Sequence, residues 1–270
     1  MNERIKKLRE YSLKAPNTIS TERAELLTAF MQQKDTATYS IPVQRAKAFE
    51  YILENKSIYI HNGELIVGER GPQPKATPTY PEVCLHSLQD LDILHNRPKV
   101  HFKSTQEARD VYQEKIIPFW EGKTQRDRIF REVDDAWKDA YEAGVFTEFQ
   151  EQRAPGHTVL GNKIYKKGML DLQAEIQKEI ANLDILNDPK AEKKREELKA
   201  MHIAAGALVG YAQRHAEELD KLASKEKSDN RKEELLHMAR VCRNIPAHAP
   251  QTFHEALQYY WFVHLGVSTE

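Results

Sequence analysis

The sequence predicts a mainly α-helical fold with one small β-hairpin. Three observations carry that expectation. Apolar residues recur at helical spacing along most of the chain, separated by charged residues. Prolines and glycines gather at a few joints instead of interrupting those segments. A single stretch, SIYIHNGELIVGER, alternates apolar and polar residues about a His-Asn-Gly turn.

The elements follow in order. Residues 2–14 place Ile5, Leu8 and Leu13 among charges, a short amphipathic helix ended by Pro16. Ser20 is the expected N-cap of a helix running to Met31 with Ala24, Leu27 and Met31 on its inner face. Pro42, favoured in a first turn, opens a third helix to about Glu54 that buries Val43, Ala46, Phe49 and Leu53. The hairpin pairs Ile58 and Ile60 with Leu65 and Val67. Residues 71–82 carry four prolines and cannot be regular helix. Helices are expected at 87–95, 104–121, 124–131 and 134–143, with Trp120 and Trp137 in the core at their seams. Tyr165 to Leu186 and 189–223 give two longer helices, and Ser228 or Asp229 caps another that reaches Cys242. His202 and His215 are thirteen residues apart and are expected on helix faces, not in a metal pair. A proline-rich joint, IPAHAP, leads to a last helix over 251–266.

Charge and composition exclude some classes. Forty basic residues against forty-one acidic ones leave a formal charge of −1, which suits neither nucleic acid nor an anionic membrane surface. No segment approaches the roughly 20 apolar residues of a membrane span, and Met1 opens a charged amphipathic start instead of a signal peptide. Cys84 and Cys242, the two cysteines, offer no disulfide framework and suit a reducing compartment. The expected location is the cytoplasm. No metal is expected, because His86, His95 and His101 lack close ligand spacing.

Chemistry gathers in one stretch, Phe146 to Lys167, FTEFQEQRAPGHTVLGNKIYKK. It holds Phe146, Phe149, Glu148, Glu151 and Arg153, then the turn formers Pro155 and Gly156 immediately before His157. A loop histidine is by default a surface residue. One fixed after such a bend, with aromatics close by, can be aimed into a cavity. The last helix raises a different question. Phe253, Leu257, Tyr259, Tyr260, Trp261, Phe262, Val263 and Leu265 leave it apolar all round, so it should be covered on every side. That predicts an N-terminal part of something larger.

The ending PAHAPQTFHEALQYYWFVHLGVSTE resembles the N-terminal half of the pyruvate formate-lyase-like domain of glycyl radical enzymes. ERAELLTAF, PVQRAKAFEYILEN, NGELIVGERG, PTYPEVCLHS, IIPFWE and AYEAGVFTEFQEQRAPGHTVLGNKIYKKG extend the resemblance along the whole chain. The FTEFQEQRAPGHTV and TYPE segments look most like the members of the family that dehydrate trans-4-hydroxy-L-proline to pyrroline-5-carboxylate. The resemblance implies the helical shell of an α/β barrel, with residues 1–270 as the N-terminal part of a pyruvate formate-lyase-like domain that is incomplete at its C-terminus. It implies a glycyl radical on a C-terminal segment, installed by a radical S-adenosylmethionine activating enzyme, with no other cofactor bound and with homodimers common. It also implies that Phe149 and His157 line the substrate pocket, Phe149 by packing and His157 by a polar contact to the departing oxygen.

The sequence departs from the full family pattern in two respects. The thiyl-bearing cysteine loop and the glycine loop have no counterpart here, and neither Cys84 nor Cys242 matches the catalytic cysteine. The 270 residues by themselves are therefore expected to be inactive, and no catalytic residue is assigned within them beyond a role for His157. Two other readings stand beside this one. The first is a lyase of the same family acting on a diol, choline or isethionate. The second is a non-catalytic helical interaction protein.

Overall fold

The computed structural model describes residues 2–145 and 160–270. It is mainly helical, as the apolar spacing predicts. Near the N-terminus lie helix α1 (Glu3–Lys14), strand β1 (Thr18–Ser20), and helices α2 (Glu22–Met31) and α3 (Ile41–Asn55). Strand β2 (Ala76–Pro78) precedes α4 (Leu88–Asn96), α5 (Gln106–Val111), α6 (Ile117–Trp120), α7 (Gln125–Glu132) and α8 (Asp135–Glu142). The rest of the described chain is α9 (Met169–Ala181), α10 (Ala191–Lys225), α11 (Asp229–Asn244) and α12 (Phe253–Thr269).

The 35-residue α10 is the axis of the structure, with α3, α9 and α11 packed along it. Its Leu208, Tyr211, Ala212, Ala216 and Leu219 face α3, α11 and α12 in the larger hydrophobic core. A second core forms where Ala24, Leu27 and Phe30 of α2 meet Ala48 and Ile52 of α3, Leu91 of α4, and Tyr112, Ile116 and Trp120. Trp120 is buried there and its indole N–H donates to Thr28 Oγ1 at 2.8 Å. Trp137 is instead half-buried, in a small aromatic group with Phe130 and Tyr141.

The caps follow ordinary chemistry. Ser87 with Asp90, Thr124 with Asp127 and Thr252 with Glu255 form reciprocal capping boxes. Ser20 is not the cap of α2. It lies in β1, and Thr21 takes the N-cap position. The expected helix over 104–121 is interrupted by a wider turn at Tyr112–Ile116, where Ile117 N–H bonds Tyr112 O. Pro118 has no N–H to give, which removes one regular helical bond at this point.

The β-hairpin expected over 58–67 does not form. Among the described residues the sheet consists of two parallel strands, with Thr18, Ile19 and Ser20 in register with Ala76, Thr77 and Pro78. Residues 58–67 keep the turn, with Gly63 at φ +93°, but their backbone groups pair with side chains from distant helices. Gln258 of α12 holds both Val67 N–H (2.7 Å) and Val67 O (2.8 Å). His254 bonds Leu65 O at 2.7 Å, Trp261 bonds Gly68 O at 2.8 Å, and Arg231 of α11 bonds Glu64 O at 3.0 Å. The alternating pattern serves burial of Ile58, Ile60 and Val67 against the larger core, not a ladder.

Helix α12 is buried on one side and open on the other. Tyr259, Phe262, Val263 and Leu265 are fully enclosed, whereas Phe253 is 79% exposed and Leu257 and Tyr260 are also exposed. The absence of a side chain at Gly266 lets Leu208 approach, since a Cβ there would lie 2.6 Å from Leu208 Cδ2.

Candidate functional site

Phe149 and His157, with Glu148, Glu151 and Arg153, lie outside the described residues. The structure does show how the chain is anchored on either side of them. Ahead of the segment, α8 is tied down by Tyr141, whose ring stacks on Trp137 and whose hydroxyl accepts from Arg126. Gly144 then takes φ +71°, a conformation that favours glycine. Behind the segment, Leu160 packs on the larger core and Ile164 is buried within it.

Tyr259 of α12 donates to Lys167 O at 3.0 Å. Met169 N–H and Leu170 N–H bond Pro246 O (2.8 Å) and Ala247 O (3.1 Å) in the joint before α12. Gly168 sits so close to that joint that an added Cβ would fall 2.0 Å from Ala247 O. This explains why the expected helix from Tyr165 starts at Met169. Backbone-to-backbone docking at residues 168–170 takes the place of its first turn.

The TYPE segment lies at a second polar centre, between α2 and the end of α12. Arg23, 6% exposed, donates to both carboxylate oxygens of Glu82, at 3.2 and 2.5 Å. Its guanidinium lies 4.1 Å from the centroid of the Tyr80 ring. Burial raises the Tyr80 phenol above its ordinary value, with the Arg23 charge opposing. Tyr112 approaches from the wider turn, its phenol pushed up to about 12 by burial. Gln125 N–H and Arg126 N–H bond Glu82 O and Val83 O, which locks TYPE to the start of α7. Cys84 Sγ lies 3.5 Å from Arg126 Nη1.

A third cluster surrounds His215, expected on a helix face and found wholly buried. Its Nδ1 is 2.9 Å from Tyr211 O. A carbonyl only accepts, so Nδ1 carries the proton and Nε2 is left as a buried acceptor with no partner. Burial pushes the imidazole down to about 4, helped by the Lys56 and Arg214 charges. Lys56, 2% exposed, donates to Glu69 O (3.3 Å) and Arg70 O (2.9 Å), and burial lowers it to about 8. No spacing in the sequence marks these residues, because Lys56, Glu69 and His215 meet only through the tertiary fold.

Among the described residues no group of three or more His, Cys, Asp or Glu could hold a metal ion. None of their helices is long and apolar enough to cross a membrane. Cys242 is enclosed and its thiol is pushed up to about 12 by burial, which keeps it protonated and inert.

Residues 1–270 match the family model described as pyruvate formate lyase-like. The chain belongs to that family. It is 48% identical over 268 residues to trans-4-hydroxy-L-proline dehydratase of Clostridioides difficile, covering 99% of this chain and 34% of that enzyme. The crystal structure of hydroxyproline dehydratase from the same organism, with trans-4-hydroxy-L-proline bound, superposes with a TM-score of 0.95 at 48% identity. It covers 100% of this chain and 34% of that one. Isethionate sulfite-lyase of Nitratidesulfovibrio vulgaris is 34% identical over 254 residues, 90% of this chain and 30% of that enzyme. The chain thus spans about a third of the length of the relatives it matches. Its fold is that of the N-terminal part of glycyl radical enzymes.

Proposed function

We propose that residues 1–270 form the N-terminal part of a pyruvate formate lyase-like domain, within a glycyl radical hydro-lyase that converts trans-4-hydroxy-L-proline to pyrroline-5-carboxylate and water. One observation carries this reading: 48% identity sustained over 99% of the chain, alongside a TM-score of 0.95 to a structure holding that substrate. In the overall reaction the 4-hydroxyl leaves as water and the ring gains a carbon–nitrogen double bond, so the atoms balance. The glycyl radical, relayed to a cysteine thiyl, would supply hydrogen abstraction at C5. Both groups belong to parts of the polypeptide other than residues 1–270, and the buried Cys242 is unsuited to the second role.

The residues of this chain bind and orient. In this reading Phe149 packs against the substrate ring, and His157 holds a hydrogen bond to the 4-hydroxyl and passes it a proton as it departs. A radical S-adenosylmethionine activase is the required partner, and the enzyme works as a homodimer in the cytoplasm, where two distant cysteines stay reduced.

The test is turnover of the activated enzyme carrying His157→Ala. The expected result is a fall in kcat of about 100-fold or more, the usual range for a lost proton donor, with the melting temperature little changed. Near-normal turnover would remove His157 from the mechanism. Phe149→Ala should raise KM about tenfold, the scale of losing apolar contact in a pocket. An unchanged KM would take Phe149 out of the pocket.

A further inference from the structure

A groove of about 500 Å³ runs between α2 and the wider turn that leads into α6. That volume lies within the range of small-molecule sites. Leu26, Pro118 and Phe119 give the groove its apolar lining. The lining is held from behind by Trp120, whose ring meets Phe119 edge-on with centroids 5.1 Å apart and whose N–H donates to Thr28 Oγ1. The wider turn supplies Glu114 and Lys115 to the wall that faces α2. An extra residue in a helical turn bulges the chain outward, and such turns recur at functional sites.

Four charged side chains line the groove and cancel: Glu25 and Glu114 against Lys115 and Lys123. Two of them satisfy each other, since Lys115 Nζ lies 3.2 Å from Glu25 Oε2, whose other oxygen accepts from Thr21 Oγ1 at 2.8 Å. The remaining two have different surroundings. Among the described residues the Lys123 ammonium meets only the Phe119 ring, 4.3 Å from its centroid, and the Glu114 carboxylate has no ion pair or side-chain hydrogen bond. A cation and an anion thus flank a half-buried aromatic ring. Nine residues of mostly helical chain separate them, which puts their backbones on the order of 10 Å apart. An α-amino acid carries its two charges on neighbouring carbons and is too short to meet both. An extended dipeptide spans about 7 Å, and the flexible Lys123 and Glu114 side chains close the remainder.

We propose that this groove binds a small zwitterion of dipeptide size, its carboxylate on Lys123, its ammonium on Glu114 and its apolar body against Leu26, Pro118 and Phe119. Binding of this kind needs no radical, so the protein is tested unactivated.

The experiment is saturation-transfer NMR on the full-length protein with L-leucyl-L-leucine as the probe. L-leucyl-L-leucinamide removes the carboxylate, N-acetyl-L-leucyl-L-leucine removes the ammonium, and L-leucine shortens the separation. Expected for wild type is saturable binding of the dipeptide with a Kd on the order of 1 mM, the scale for a ligand of this size in an open site. The three other compounds should bind about fivefold more weakly, the upper end for losing a solvent-exposed ion pair. Lys123→Ala and Glu114→Gln should each weaken the dipeptide by the same factor. Both residues are exposed, and melting curves of the two variants should match wild type. Lys123→Ala should also bind the dipeptide and its amide equally, and Glu114→Gln the dipeptide and its acetylated form. Absence of saturable binding to wild type would overturn the proposal. Affinity unchanged in both variants would overturn it too, by placing the dipeptide elsewhere on the protein, and L-leucine binding as tightly as the dipeptide would refute the separated charges.

Discussion

His215 is buried, neutral and hydrogen-bonded through one nitrogen only. Its pKa of about 4 in the fold lies below the roughly 6.5 of an unfolded chain. The unfolded state takes up the proton first as pH falls, so this group destabilises the fold progressively below 6.5 and its effect levels off below 4. Between pH 7 and pH 5 the loss is about 2 kcal/mol. His215→Gln should show a correspondingly smaller loss in denaturant titrations over that range; equal losses would mean that His215 does not carry the pH dependence. Cys84→Ser should leave turnover of the activated enzyme within about twofold of wild type, since each tenfold in rate needs about 1.4 kcal/mol and the resemblance gives Cys84 no part in the chemistry. Abolished activity with an intact fold would show that it has one. These residues also mark the limit of sequence reading. Phe149 and His157 stand as proposed pocket residues: the Pro155-Gly156 bend and the aromatics nearby single out His157 in the sequence, and the family resemblance alone supplies the roles of both. Arg23, Lys56 and His215 were not legible as members of clusters, since their partners lie tens to hundreds of residues away and meet them only after folding.

Helices were read well wherever one face is continuously apolar, and the capped ones best. The failures share a cause. The 58–67 segment alternates like a strand, yet Gln258, His254, Trp261 and Arg231 use its backbone groups. The helix expected from Tyr165 begins late because residues 168–170 dock on Pro246 and Ala247. In both places tertiary hydrogen bonds outweigh local preference. Two glycine substitutions test that balance. Gly168→Ala puts a Cβ into the Ala247 and His248 backbone and should cost about 3 kcal/mol, the upper end of overpacking penalties. Gly210→Ala, on the exposed side of α10 with nothing within 4 Å, should stabilise by up to about 1 kcal/mol through helix propensity. Denaturant midpoints of the two variants should move in opposite directions, and movement in the same direction would refute the packing account.

For the molecule as a whole, helical periodicity was enough to establish the mainly helical character but not the sheet, and the resemblance to glycyl radical enzymes agrees with the family match over residues 1–270. What periodicity could not convey is how the parts are joined. The long α10 gathers α3, α9, α11 and α12 into one core, and α12 is stitched to the 58–68 segment. The most direct test is anaerobic incubation of the intact native polypeptide with its radical S-adenosylmethionine activase and trans-4-hydroxy-L-proline, following the product by mass spectrometry. The account predicts loss of one water with formation of pyrroline-5-carboxylate, dependent on the activase. A polypeptide that acquires its glycyl radical and leaves hydroxyproline untouched, while cleaving isethionate or dehydrating a diol, would contradict it.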